Sequence, residues 1–199
     1  MQTKINELLL ERLESGEDKM KQIDERLWRE YGHELAVFIS DMSGFSRITR
    51  ERGILHFLSL IAKQRELALP VIARHSGRLI KTEADNIFAV FDDPADAVRT
   101  SGKIHAILRK FNETRDEVSR VIACHGISFG RVLDFGDDVY GNPVNMASKL
   151  GEDVAEPYDT LVTAEVHDAC RMWPEFEFEE RHVTISGVDI EYYRLIWRR

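Results

Sequence analysis

Two aspartates stand where a protein chain can bring carboxylates together. Asp41 follows an apolar run of strand length, residues 35–39, and Asp85 lies in the short link between two later strand-like segments, residues 78–81 and 87–91. If the first strand lies beside the hairpin of the next two, both carboxylates reach one end of a sheet. Like charges held together favour a bound cation, and hard cations such as Mg2+ or Mn2+ prefer oxygen ligands. The pair therefore indicates a divalent-metal site, although each aspartate alone is also typical of a turn or a cap.

A glycine-containing turn follows Asp41. Gly44, Phe45 and Ser46 lead from the strand end toward a helix, and backbone N–H groups exposed there suit phosphate oxygens. Two metal ions about 3.5–4 Å apart can activate an attacking oxygen and stabilise a leaving one. The turn alone is a weak indication because strand–turn–helix joins with glycine are common, but beside Asp41 it is compatible with chemistry on a phosphate.

Composition limits the partners. The chain has 199 residues and a formal net charge of -8, which argues against general nucleic-acid binding because that needs a positive surface. It contains no apolar run near the roughly 20 residues that span a bilayer. Acidic residues soon interrupt the short apolar run at Leu8–Leu10, so the N-terminus does not resemble a secretion signal. We therefore expect no membrane segment and a cytoplasmic location.

The chain divides at about residue 34. Residues 1–34 are highly charged, with apolar residues at helical spacing and a break at Ser15 and Gly16. We interpret them as an N-terminal helical extension, and residues 35–199 as one catalytic domain. Two interpretations of the extension stay open: it covers the core of the domain, or it dimerises the chain or transmits a signal to it.

The elements after residue 34 follow a recognisable order. Apolar periodicity predicts strand, helix, strand, strand, helix, strand, strand, which is the ferredoxin-like βαββαβ pattern of α+β proteins. A turn near Phe129 and Gly130 is expected to separate two strands, residues 121–127 and 131–135. This order lays the first strand beside the next hairpin, as a shared site for Asp41 and Asp85 requires.

Four segments resemble the motifs of class III adenylate and guanylate cyclase catalytic domains. Residues 38–46 resemble the first metal-binding motif and residues 80–91 the second. Residues 125–132 resemble the Gly-Ile-x-x-Gly hairpin of the family, and residues 138–150 resemble its transition-state motif. The four occur in the family's order over roughly residues 36–170. The resemblance implies the ferredoxin-like core of a class III nucleotide cyclase with an N-terminal helical extension.

The resemblance implies a role for each matching residue. Asp41 and Asp85 would hold two Mg2+ or Mn2+ ions per site, with the backbone carbonyl of Met42 as a further ligand. Asn145 would orient the ribose. Lys149 occupies the position of the arginine that stabilises the reacting phosphate in many members. The glycine turn after Asp41 would contact the substrate phosphates.

Two further positions match the residues that select the base. Lys81 and Asp138 correspond to the family's Lys–Asp pair for adenine, whereas Glu with Cys or a similar small residue goes with guanine. Adenine offers a ring nitrogen to the Lys amine and an amino group to the carboxylate, and guanine reverses that pattern. The implied reaction converts ATP to 3′,5′-cyclic AMP and pyrophosphate. The family builds each site from two chains, so a homodimer is implied.

Three departures from the family pattern keep alternatives open. Lys149 replaces the usual arginine and loses its planar fork. Ser186 and Gly187 stand where a Lys-Gly pair contacts phosphates, and Ala84 replaces the glycine before the second metal aspartate. A cyclase for GTP, CTP or UTP is one alternative. A degenerate, non-catalytic cyclase homologue that binds nucleotide is another.

Overall fold

The computed structural model describes residues 2–185 and 188–197, so Ser186 and Gly187 lie outside the described residues. The helices are α1 (Gln2–Glu14), α2 (Glu17–Tyr31), α3 (Phe45–Arg52), α4 (Ile54–Arg74), α5 (Pro94–Asn112), α6 (Asn142–Ser148) and α7 (Ala164–Cys170). The strands are β1 (Gly32–Met42), β2 (Arg78–Glu83), β3 (Asn86–Phe91), β4 (Ala123–Asp134), β5 (Val139–Tyr140), β6 (Thr160–Thr163), β7 (Phe176–Ile185) and β8 (Val188–Trp197). A 3-10 turn spans Glu117–Ser119 and a π-helical turn spans Lys149–Val154.

One sheet contains all eight strands, in the order β2-β3-β1-β4-β6-β8-β7, with β5 paired to the end of β4. Strand β1 pairs antiparallel with β3 on one side and with β4 on the other, and β2 pairs antiparallel with β3. These four strands have the ferredoxin-like order and directions, so the predicted α+β fold is confirmed. Strands β6, β8 and β7 extend the sheet beyond β4.

Alternation along β1 sends its side chains to two different faces of the sheet. We call the first the closed face: Ala36, Phe38 and Met42 point there, into a core shared with α4 and α5. The second, which we call the open face, receives Leu35, Val37 and Ile39. Their cluster also contains residues of β5 and α6, among them Val139 and Ala147.

The predicted turn near Phe129 and Gly130 is wrong. Strand β4 runs without interruption through both residues, and Gly130 pairs with Leu35 of β1 in the ladder. The chain reverses later, where the backbone N–H of Phe135 donates to the carbonyl of Asp138 at 2.9 Å. A glycine inside a strand has the same sequence signature as a glycine in a turn, and the pairing with β1 decides between them.

The N-terminal helices pack together and against the sheet. Leu8 of α1 forms a buried cluster with Ile23 and Leu27 of α2. Tyr31 continues this cluster and meets the ring of Phe135 edge-on at 5.1 Å between centroids. Strand β1 begins at Gly32, three residues before the expected boundary, and the division into extension and domain stays a prediction. Over the described ranges, no helix combines the length and hydropathy that crossing a membrane requires.

Candidate active site

Asp41 is the penultimate residue of β1 and follows Val37 and Ile39 in the alternation toward the open face. It is half-buried, opposite Cys124 of β4. Burial, and then the negative charge of Asp85, raises the pKa of Asp41 to about 6. The two predicted metal aspartates are therefore close enough for the charge of Asp85 to affect the ionisation of Asp41.

Asp85 lies in the two-residue turn between β2 and β3, beside Ala84. Ala84 adopts a left-handed backbone with φ of 48°. The guanidinium of Arg65, on α4, donates to the Ala84 carbonyl at 2.6 Å. The adjoining Asn86 side chain donates to the Glu152 carboxylate at 3.0 Å. Contacts on both sides thus fix the turn that presents Asp85.

Glu152 is a site residue that the sequence analysis missed. It lies in the π-helical turn after α6, and its pKa is raised by burial, then by the charges of Asp153 and Asp85. Its charge also contributes to the raised pKa of Asp41. The only sequence signal is an acidic residue shortly after a motif, which is ordinary on a helix surface.

The donor set at this end of the sheet fits hard divalent cations. Asp41 and Asp85 supply carboxylate oxygens and Met42 a nearby backbone carbonyl, which are the ligand types that Mg2+ and Mn2+ take. A different acidic group, formed by Glu180, His182 and Glu191, has ligand atoms within 4.8 Å of one another. It is exposed on β7 and β8, the strands at the opposite side of the sheet from β2, and is not the predicted metal site.

Lys81 and Asp138 are in direct contact although 57 positions separate them. The Lys81 amine donates to both carboxylate oxygens of Asp138, at 3.1 Å and 2.9 Å. Burial raises the pKa of Asp138, but the hydrogen bonds from Lys81, Val139 and Tyr140, together with the charge of Lys81, outweigh it, so the pKa is lowered. The same hydrogen bond raises the pKa of Lys81. The pair is therefore a charged amine on an ionised carboxylate.

The Lys81–Asp138 pair lines a cavity of about 460 Å³, which we call the base cavity. Its walls include the apolar side chains of Ile39, Phe88 and Val144, all on the open face of the sheet. A slot with apolar walls and a paired amine and carboxylate suits a flat heteroaromatic ring that carries both donors and acceptors.

A second cavity, of about 450 Å³, opens at Asp41, and we call it the acidic cavity. Gly44, Phe45 and Ser46 line it, as their prediction as phosphate contacts requires. Gly44 has a φ of 102°, a left-handed conformation that glycine adopts without strain, and it precedes the first turn of α3. Glu152 lines both cavities.

Asn145 and Lys149 lie one turn apart at the end of this region. Asn145 is exposed on α6, and Lys149 is half-buried at the start of the π-helical turn. Within the described part of the chain, neither side chain lines the base cavity or the acidic cavity. The structure thus brings Lys81 to Asp138 and Asp41 near Asp85, and leaves Asn145 and Lys149 outside both cavities.

Comparison with known proteins identifies the class of domain that has this arrangement. No protein-family model matches the chain. An adenylate cyclase from Streptomyces coelicolor is 30% identical over 138 residues, which are 69% of this chain and 32% of that protein. The solved adenylate/guanylate cyclase/hydrolase from Silicibacter pomeroyi has a TM-score of 0.71 at 26% identity, over 83% of this chain and 97% of that one. The adenylyl cyclase CyaB from P. aeruginosa has a TM-score of 0.71 at 18% identity, over 84% and 96%.

These neighbours are class III adenylate and guanylate cyclase catalytic domains, and the resemblance drawn from the motifs is confirmed. The chain has the class III cyclase fold and homologues named adenylate cyclase. It spans between 16% and 32% of the length of the first curated relatives that it matches. What those longer proteins do as wholes does not transfer to it.

Proposed function

We propose that this chain is a nucleotide cyclase that converts ATP to 3′,5′-cyclic AMP and pyrophosphate. The observation that carries the proposal is the Lys81–Asp138 ion pair in the base cavity, on the same sheet face as Asp41. The cyclase fold and the adenylate cyclase homologues support the reaction class. The pair supports adenine, since Lys81 can donate to a ring nitrogen and Asp138 can accept from the exocyclic amino group.

The acidic cavity supports binding of the triphosphate. Backbone N–H groups of the turn at Gly44, Phe45 and Ser46 would face phosphate oxygens. Asp41 and Asp85, with the Met42 carbonyl, would hold two Mg2+ or Mn2+ ions, which would supply charge neutralisation and activation of the ribose oxygen. The protein's own contribution is then to position the ribose 3′-oxygen and the α-phosphate in line.

The separation of the two cavities supports a homodimer with shared sites. In one chain Lys81 and Asp138 line the base cavity, whereas Asp41 lines the acidic cavity. A two-fold dimer can place the base cavity of one protomer opposite the acidic cavity of the other, and it then contains two equivalent sites. Asn145 and Lys149, which line neither cavity of their own chain, would reach ribose and phosphate in that arrangement.

The test is product formation from ATP, GTP, CTP and UTP, with Mg2+ or Mn2+, by the wild type and by Asp41→Ala. We expect cyclic AMP from the wild type and none from Asp41→Ala. Asp92→Ala is the matched control, because Asp92 is an exposed aspartate just after β3 and should keep full activity. Sedimentation velocity establishes whether each preparation is a folded dimer.

Two results would contradict the proposal in different ways. A cyclic product from another nucleotide would retain the mechanism and reject the adenine assignment. No product from any nucleotide, by a folded dimer, would favour the degenerate binding homologue. GTP is the second candidate substrate, because the Silicibacter pomeroyi neighbour is named as an adenylate/guanylate cyclase.

A further inference from the structure

Asp138 has a neighbour that the cyclase motifs do not assign. The Tyr140 hydroxyl donates to the Asp138 Oδ2 atom at 3.2 Å, and the Val139 N–H donates to the Oδ1 atom at 2.9 Å. With the Lys81 amine on both oxygens, each carboxylate oxygen therefore accepts two hydrogen bonds. Three donors therefore set the orientation of the carboxylate: the Lys81 amine, the Val139 backbone N–H and the Tyr140 hydroxyl. Among the described residues, Lys81 and Tyr140 are the two that donate from a side chain.

Tyr140 is itself held from the N-terminal side of the chain. Its ring lies 5.7 Å from that of Phe135, which in turn meets Tyr31 of α2 at 5.1 Å between ring centroids. Ile5 and Leu9 of α1 line a small apolar cavity together with Phe135 and Tyr140. Aromatic contacts of this kind contribute beyond the area that they bury.

The turn between β4 and β5 is fixed on its other side by Arg78. Its guanidinium donates to the Gly136 carbonyl at 2.9 Å and forms an ion pair with Asp134. Since Arg78 begins β2, which also carries Lys81, the strand of the amine and the turn of the carboxylate are joined at a second point. The freedom that remains for Asp138 is rotation of its own side chain, which Tyr140 restricts.

We propose that Tyr140 is a positioning residue for Asp138, and that α1 and α2 hold Tyr140 in place through Phe135. Tyr140 lines the base cavity beside Asp138, and in this role it acts on the base through the Asp138 carboxylate. It holds the carboxylate against Lys81, which donates to both oxygens, so that the pair faces the purine as a donor beside an acceptor. This deepens and rests on the proposed function, but the carboxylate geometry can be tested without turnover.

The experiment compares Tyr140→Phe with the wild type in the full chain. Carbon-13 NMR of labelled aspartate carboxyls, assigned with Asp138→Asn, follows the pKa of Asp138. We expect that pKa to rise by about 0.5–1 unit, as loss of one hydrogen bond to the charged form predicts. Steady-state kinetics should show KM for ATP rising about threefold to tenfold with kcat within about twofold, because binding rather than chemistry is affected.

Tyr193→Phe is the matched control. Tyr193 donates to the Glu191 carboxylate at 2.7 Å, also two residues back along a strand, but on β8 away from both cavities. It should leave the pKa of Asp138 and KM unchanged. Tyr31→Ala removes the ring behind Phe135 and should shift both quantities in the same direction by less, whereas Leu13→Ala, on an α1 side chain that is 77% exposed, should not.

The outcomes separate the inference from the proposed function. If Tyr140→Phe leaves both the pKa of Asp138 and KM for ATP unchanged, the positioning role is rejected. If the wild type makes no cyclic nucleotide, the proposed function fails while the titration still decides the inference. A shift in Tyr140→Phe without one in Tyr31→Ala retains Tyr140 and rejects the role of the N-terminal helices.

Discussion

The two faces of the sheet hold their polar side chains in opposite environments, buried on the closed face and accessible on the open face. On the closed face, His105 and His125 are buried with ring centroids 4.2 Å apart, and the His105 Nε2 atom lies 3.1 Å from the Thr160 hydroxyl. One ring nitrogen of each histidine has no partner among the described residues. On the open face, Lys81 and Asp138 are charged, paired and accessible from a cavity. Burial keeps the first pair neutral, and accessibility keeps the second pair ionised.

Alternation along a single strand separates these roles. Strand β1 directs Phe38 toward His125, with 5.0 Å between the ring centroids, and directs Ile39 and Asp41 to the other face. A register shift of one residue would move Asp41 into the closed core and Phe38 to the open face. The apolar pattern that makes the core therefore also determines which face has the carboxylate of Asp41.

Replacement of both Lys81 and Asp138, the proposed base-reading pair, should have the largest effect of any change on the open face. The double variant Lys81→Glu, Asp138→Cys offers guanine the acceptor and small residue that the family pairs with it. We expect the preference for ATP over GTP, as the ratio of kcat/KM values, to fall by about 1,000-fold, because unpaired polar groups reject the wrong base strongly. The measurement is competition between the two nucleotides at equal concentration.

The single variants are the controls for this exchange. Each should lower activity with ATP without creating a preference for GTP, because one polar group is left without its partner. An unchanged preference in a folded double variant would mean that the pair does not select the base.

On the open face, the contact of β4 with the end of α6 and the π-helical turn is expected to be as tightly packed as the closed core. A Cβ atom on Gly126 of β4 would lie 2.0 Å from the Ala147 carbonyl oxygen and 2.5 Å from the Gly151 nitrogen. Gly126→Ala must displace the end of α6 and the π-helical turn, and should lower the free energy of unfolding by about 3 kcal/mol. Chemical denaturation measures it. Gly16→Ala, with no atom within 4 Å, is the control, and equal stability of the two variants would mean that the open face is loosely packed.

The closed face predicts a pH dependence of stability. Burial, and then the charge of Arg109, lowers the pKa of His105 to about 4. Between about pH 6.5 and pH 4 the unfolded chain binds a proton that the folded chain does not, so stability is lost as the pH falls through this window. From pH 7 to pH 5 the wild type should lose about 2 kcal/mol more of its free energy of unfolding than His105→Gln loses. Urea unfolding at both pH values measures the difference, with His33→Gln, at an exposed histidine, as the control. If the wild type and His105→Gln lose the same stability between pH 7 and pH 5, the role of His105 is rejected.

The smallest expected effect concerns the turn of Asp85. Ala84 has a φ of 48°, which costs an alanine about 1–2 kcal/mol more than a glycine. Ala84→Gly relieves that strain but adds freedom to the unfolded chain, so we expect a net gain of about 0.5 kcal/mol in thermal or urea unfolding. Ala155→Gly, at a φ of -67°, should instead lose stability. A loss in Ala84→Gly would mean that the turn is relaxed as it stands.

Much of the fold could be predicted from the sequence because apolar runs and helical spacing are local signals. The run at residues 35–39 and the long amphipathic stretch before residue 75 were sufficient to predict β1 and α4. The family resemblance paired Lys81 with Asp138 as residues that select the base, but their contact could not be predicted, since no local rule joins residues 57 positions apart. It is the tertiary pairing of β2 with β3 and of β4 with β5 that brings them together.

The residues that were missed depend on backbone geometry with no sequence code of its own. Glu152 reaches the site because the helix after Ser148 widens into a π-helical turn, and its sequence is typical of a solvated helix end. Phe135 and Tyr140 meet because β4 continues through Gly130, where a turn was predicted. Both errors concern where a regular element ends, which local patterns determine poorly.

The position of each strand within the sheet also bears on how the site opens. Strand β1 has hydrogen-bonded neighbours on both sides, so its amides should exchange with solvent only when the whole domain unfolds. Within the described residues, β2 pairs with β3 alone and forms an outer edge, where fluctuations need little free energy. Asp41 thus stands on an inner strand, where we expect slow exchange, and Lys81 on an edge strand, where we expect faster exchange. A bound nucleotide would therefore contact a rigid strand at Asp41 and a more mobile strand at Lys81.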